Sequence, residues 1–158
     1  MVHSEFFITK GKAVSKASQL NAFDSALVEA GIDQCNLVQV SSILPENAKE
    51  ISLKRITPGT ITFCVLSRMD GISGETIASG VAYAFCEGQK GKYGIVAEDH
   101  GHKNPDYIKE ELKRKLEEMA RARNMRLGKI KTVVESIGTI PAQSHGSTMA
   151  ALVYVPGD

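Results

Sequence analysis

The 158-residue sequence predicts one α+β domain built mainly from antiparallel strands. Three observations lead there. Apolar, often β-branched runs of strand length recur six or seven times along the chain, whereas only two segments carry helical spacing with recognisable caps. Those two helices do not alternate regularly with the strands, as a doubly wound parallel sheet requires. Finally, 42% apolar residues in a chain of this length bury a single core, and no internal repeat divides it.

Phe6 to Thr9 reads as the first strand, and the small, polar stretch from Gly11 to Ser18 as a loop. A short helix follows, with Asn21 as its N-cap, Phe23, Ala26, Leu27 and Ala30 at helical spacing, and Gly31 as its stop. Asn36 to Val40 reads as a mostly buried strand, which Pro45 ends because proline cannot donate to a ladder. From Ser42 to Gly59 the chain is rich in charges and turn residues, a segment expected to become a mobile end if the chain were cut. Pro58-Gly59 then turns into the alternating strand Thr60 to Leu66. Thr76 to Phe85 could be scored as helix on its alanines, but Gly80, Val81 and Tyr83 favour a strand. Tyr93 to Ala97 makes another, ending at Glu98. Asn104-Pro105 opens the clearer helix, where Ile108, Leu112, Leu116, Met119 and Ala120 form one apolar face suited to lie against a sheet. Ile130 to Ile137 and Ser147 to Val155 close the chain as strands.

Nineteen basic against eighteen acidic residues give a net charge of +1, which provides no field to gather nucleic acid or an anionic membrane, so both are set aside as partners. No apolar run approaches a spanning helix, and Met1 to Glu5 lacks the pattern of a secretory leader, so a cytoplasmic location is expected. Cys35, Cys64 and Cys86 sit apart among apolar neighbours, as buried reduced thiols do. His100 and His102 beside Glu98 and Asp99 are read as a flexible loop, without the spacing of a metal site. No phosphate-binding glycine loop is present, since Gly88 to Gly94 has neither the Walker nor the dinucleotide spacing.

The motif that carries chemistry is Ser41-Ser42, where an apolar strand pattern runs into two hydroxyl residues and then Pro45. Its company is Leu20-Asn-Ala-Phe-Asp-Ser-Ala-Leu27, Gly31-Ile32, Asn36 to Pro45, Gly74-Glu-Thr-Ile77 and Gly94-Ile-Val-Ala-Glu98. In order and spacing this set, over nearly the whole chain, closely resembles the pyruvoyl-dependent arginine decarboxylases. It departs at Glu46, where the family often has a second proline, a loop change that bears on cleavage efficiency more than on chemistry.

The resemblance implies an αββα-type sandwich and a proenzyme that cuts itself between Ser41 and Ser42 into residues 1–41 and 42–158. Ser42 Oγ would attack the Ser41 carbonyl, and elimination followed by hydrolysis would leave a covalent pyruvoyl group at position 42, with neither pyridoxal phosphate nor a metal required. That group would form a Schiff base with arginine and release carbon dioxide and agmatine. The family roles carried over are Asn36 as oxyanion donor in self-cleavage, Glu98 as proton donor, and Asp24, Leu20 and Ser41 in substrate binding. On the residues alone, other roles remain open. Asn36 could be an ordinary strand-entry residue, and Glu98 a solvated carboxylate at a strand end. Asp24 could serve the first turn of its helix through the dipole or the cap, while Leu27 is the likelier core residue. The family also implies a homo-oligomer, a trimer of processed protomers or a pair of trimers, with sites between neighbours. Two other readings stand beside this one: decarboxylation of another cationic amino acid, lysine or ornithine, and a non-catalytic oligomeric binding protein of the same fold.

Overall fold

The computed structural model describes residues 1–157. In chain order the elements are β1 (Glu5–Ser15), α1 (Gln19–Ala30), β2 (Asn36–Gln39), β3 (Ile43–Leu44), β4 (Lys49–Glu50), β5 (Ile61–Ile72), β6 (Ile77–Gly88) and β7 (Gly91–Gly101), then α2 (Pro105–Ala122), β8 (Arg126–Leu127), β9 (Lys131–Ile137) and β10 (His145–Tyr154). One sheet runs β2-β5-β10-β1-β4, and the other β3-β7-β6-β8 with β9 also on β6. Pairing is antiparallel except for β2 on β5 and β4 on β1.

Strand alternation sorts the side chains into four layers. Phe7, Cys64, Met149 and Val153 face α1, whereas Phe6, Val65 and Leu152 face the second sheet and meet Leu44, Tyr83 and Val96 there. Ala78, Ala82, Ile95 and Ala97 on the far side of that sheet take Ile108, Leu112, Leu116 and Ala120 of α2. The order is α1, sheet, sheet, α2, and the antiparallel α+β architecture is as expected.

Gly11 to Ser15 belongs to β1 and is not a loop. Its small residues serve close helix packing: a Cβ at Gly11 would lie 2.0 Å from the Ala26 carbonyl oxygen, and α1 presents the equally small Ala22, Ala26 and Ala30. The cap of α1 is Ser18 rather than Asn21, for Ser18 Oγ accepts from the Asn21 N–H at 3.1 Å. Gly31 ends the helix in the left-handed region as its type suggests. For α2, Asn104 Oδ1 accepts from the Tyr107 N–H and Pro105 opens the first turn.

Two expectations about the sheets are corrected, and in the uncut chain the segment after Ser42 is seen to be tied down. β2 is an edge strand with only Leu37 half-buried, because the helical layer does not cover it. Glu98, Asp99 and His100 lie inside β7, whose ladder with β6 continues to Ala78 opposite Gly101. The segment after Ser42 is anchored: β3 pairs with β7, β4 pairs with β1, and Glu50 accepts from Tyr83 Oη and Lys131 Nζ, each at 2.5 Å.

Candidate active site

The site follows from a change of sheets. Strand β2 stays with the first sheet as far as Val40, whose N–H donates to the Cys64 carbonyl at 2.9 Å. Two residues later the chain has joined the second sheet, where the Ser42 carbonyl accepts from the Val96 N–H at 2.9 Å. The Ser41–Ser42 peptide therefore lies in the crossing, held on both sides, with Ser41 exposed and Ser42 half-buried. Just beyond it the Ile43 carbonyl accepts from Tyr154 Oη at 2.7 Å.

An open cleft of about 570 Å³ meets the crossing on one flank, lined by Ser41, Ser42, Val65, Glu98, Lys115 and Met119 among others. A smaller cavity of about 340 Å³, bounded by His3, Phe63 and Tyr154, also reaches Ser41. Burial pushes the Glu98 carboxyl above the usual carboxylate range, against the opposing pull of His100 and Lys115. Neighbouring Asp99 behaves oppositely. Burial would raise it, but hydrogen bonds and charge from Lys115 and Lys103, both 3.0 Å away, outweigh that and hold it low. Burial lifts the Cys64 thiol to about 11 and the Tyr154 phenol to about 12, so both stay protonated at neutral pH.

Ser41, Ser42 and Glu98 thus share one cleft. Their setting suits serine chemistry at an amide whose ends are pinned, beside a carboxyl that burial pushes above the usual carboxylate range. The other expected residues lie elsewhere on the protomer. Asn36 is at the far end of β2, its amide Nδ2 donating to the Gly59 carbonyl at 2.9 Å. Asp24 and Leu20 sit on α1, both exposed, Leu20 at 71%. With Ser18 as the cap, Asp24 falls beyond the first turn, which contains no acidic residue, so the capping role for it is removed. Leu27 packs against the α1 core, as a helix-core residue should.

Three contributors escaped the sequence reading. The Val96 N–H is backbone and leaves no trace in residue type. Tyr154 reaches Ile43 across 111 positions. Lys115 looks like any lysine on the polar face of an amphipathic helix. A continuous apolar run ending at Tyr154, buried on both faces of the sheet, is the only hint of the second.

Comparison with known proteins converges on one group. The sequence model described as "Pyruvoyl-dependent arginine decarboxylase (PvlArgDC)" matches residues 5–158. A protein named pyruvoyl-dependent arginine decarboxylase from Methanopyrus kandleri is 35% identical over 155 residues, covering 97% of each chain. One of the same name from Methanothermobacter thermautotrophicus is 33% identical over 150 residues, covering 94% of each.

Proposed function

Since the chain belongs to the pyruvoyl-dependent arginine decarboxylase family, we propose that it cuts itself after Ser41 and then converts arginine to agmatine and carbon dioxide. The observation that carries the reading is Ser42 and Glu98 on one cleft, with the Ser42 carbonyl fixed by the Val96 N–H.

In self-cleavage, Ser42 Oγ forms a bond to the Ser41 carbonyl carbon as the peptide C–N bond breaks, and the freed nitrogen takes up the hydroxyl proton. Loss of the Ser42 Cα proton then expels the Ser41 carboxylate and leaves a double bond between Cα and Cβ of residue 42. Water replaces the nitrogen, ammonia departs, and a pyruvoyl group remains. Only a β-hydroxyl or thiol can both attack and leave in this way.

The residues present fit such a group: a new N-terminus at 42 would open into the cleft while its own carbonyl stays bonded to Val96. The group supplies a ketone that condenses with the substrate amine and a conjugated amide that draws electrons as carbon dioxide leaves. Glu98, whose carboxyl burial pushes above the usual carboxylate range, donates a proton to the substrate carbon. Val65 and Met119 restrict water on the apolar side of the cleft. Asp24 takes the guanidinium as a paired carboxylate, with Leu20 against the aliphatic part. These two reach the cleft from a neighbouring protomer of a trimer or a pair of trimers, and Asn36 acts in cleavage through the same assembly. Support for an interface comes from the apolar residues exposed around the crossing, Val38, Val40 and Ile43. The thiols, unpaired within the chain, suit a reducing cytoplasm, and no described helix is long and apolar enough to cross a membrane.

Denaturing mass spectrometry tests the reading. The purified protein should give fragments 1–41 and 42–158, the second with a blocked N-terminus, and Ser42→Ala should stay whole. A wild-type chain that remains intact under all conditions, or a cut protein that releases carbon dioxide faster from lysine or ornithine than from arginine, would overturn it.

A further inference from the structure

Strand β7 loses its outer neighbour at the place where Glu98 lies. β3 covers β7 only opposite Ile95 and Gly94, with one more bond from Val96 to Ser42, because the chain crosses to the other sheet from there on. The carbonyl of Glu98 is therefore at an open sheet edge, where a backbone acceptor calls for another donor. Lys115 supplies it from α2: its Nζ donates to the Glu98 carbonyl at 2.7 Å and to Asp99 Oδ1 at 3.0 Å.

Alternation along β7 sharpens the picture. Asp99 lies with Ile95 and Ala97 on the α2 side, and is only 8% exposed. Glu98 lies with Val96 on the side facing the other sheet, where Ser42 is bonded. Fixing Asp99 and the Glu98 carbonyl together leaves the Glu98 side chain little choice of direction.

We propose that Lys115 is a positioning residue for Glu98: by tying the Glu98 carbonyl to Asp99 across the open edge of β7, it aims the carboxyl into the cleft and holds a positive charge beside it. This rests on the proton-donor role given to Glu98 above. The ionisable groups around Glu98 are His100 and Asp99 on its own strand, Cys64 on β5, Lys115 and Glu118 on α2, and Arg123 at the C-cap of that helix. Of these, Lys115 alone joins the Glu98 backbone and a buried partner at once. Lys103, which also pairs with Asp99, does not touch Glu98.

The test compares Lys115→Met, Lys115→Arg and Lys103→Met. In self-cleaved protein, Lys115→Met should lower kcat by ~10-fold, the scale of one lost hydrogen bond to a charged donor, with KM nearly unchanged. Its alkaline limb should move up, since removing a nearby cation favours the protonated carboxyl. Lys115→Arg should restore most of both, and Lys103→Met should alter neither. Independently of turnover, carbon-13 titration of Glu98 in the uncut Ser42→Ala chain should show the same upward shift when Lys115→Met is added; Lys115→Gln replaces it if Lys115→Met does not fold. An unmoved Glu98 titration, or a change confined to KM, would overturn the proposal. A wild-type protein that neither cuts nor decarboxylates would instead defeat the proposed function, while the titration still reads the Lys115 contact.

Discussion

Gly94 gives the most demanding test of how the fold would set up the proposed self-cleavage. It pairs with Leu44 in the two-residue strand just past the scissile bond. A Cβ at Gly94 would lie 2.7 Å from Leu44 Cβ and 3.0 Å from Leu44 Cδ1. Carbon atoms rest about 3.5 to 4.0 Å apart, so Gly94→Ala must push β3 away from β7 by about 1 Å. The Ser42 carbonyl, two residues away, would be pulled from the Val96 N–H. Misplacement of reacting atoms on that scale costs about 10²-fold in rate, whereas overpacking itself costs the fold about 1–3 kcal/mol. For a chain of this size the second figure corresponds to a Tm about 3–10 °C lower. The assay follows loss of intact precursor by denaturing mass spectrometry, with calorimetry on the Ser42→Ala and Ser42→Ala/Gly94→Ala chains. Cleavage at the wild-type rate in a protein whose Tm has fallen would refute the link between the seat of β3 and the reactive geometry. An unchanged Tm would show that the clash is absorbed without moving the strand.

Three further outcomes follow from the site. Tyr154→Phe removes the bond to the Ile43 carbonyl and should slow self-cleavage by about 5–10-fold, a loss of about 1 kcal/mol, read from precursor half-life; an unaltered half-life excludes Tyr154 from the reaction. Glu98→Gln should still be cut but should decarboxylate about 10²–10⁴-fold more slowly. Because burial raises the Glu98 carboxyl, the folded chain holds that proton to higher pH than the unfolded chain. Its contribution is fully present below the ordinary glutamate range and is lost as pH rises through the raised folded value, so Glu98→Gln should melt above wild type only beyond that window. Equal melting curves at all pH values would contradict it. Asp24 is exposed and joins no intrachain ion pair among the described residues. Asp24→Asn should therefore leave folding stability within about 0.5 kcal/mol of wild type while raising KM for arginine by roughly 10–100-fold through loss of a charge-assisted pair; a normal KM would remove Asp24 from substrate binding.

Legibility in the sequence followed locality. Helix α2 could be read almost completely, since Asn104-Pro105 and the apolar face from Ile108 to Ala120 act within one segment. The antiparallel α+β class also came through, from strand patterns that alternate over a few residues. Gly11 misled because smallness signals a turn in sequence, yet here it serves an approach by Ala26 from another element. Asn21 misled because Ser18, three residues earlier, is an equally good cap and tertiary packing chose it. At the site, Ser41-Ser42 and Glu98 could be named from residue type, order and resemblance. The seat that holds them could not, because Val96, Tyr154 and Lys115 act through backbone groups or contacts distant in sequence.

The crossing between sheets also decides what the protein would become if it were cut there. Piece 1–41 would supply β1, which lies inside the first sheet between β10 and β4, both from piece 42–158. Phe6 remains fully buried in a core built largely by the other piece, and Phe7 in one to which both pieces contribute. Severing one exposed link would thus turn a folded monomer into an intimate two-chain complex without asking either piece to move. Unfolding would then separate the partners, and their return would depend on concentration. The uncut chain would be the form equipped to find the fold, and a cut protein would be kept by the barrier to leaving it.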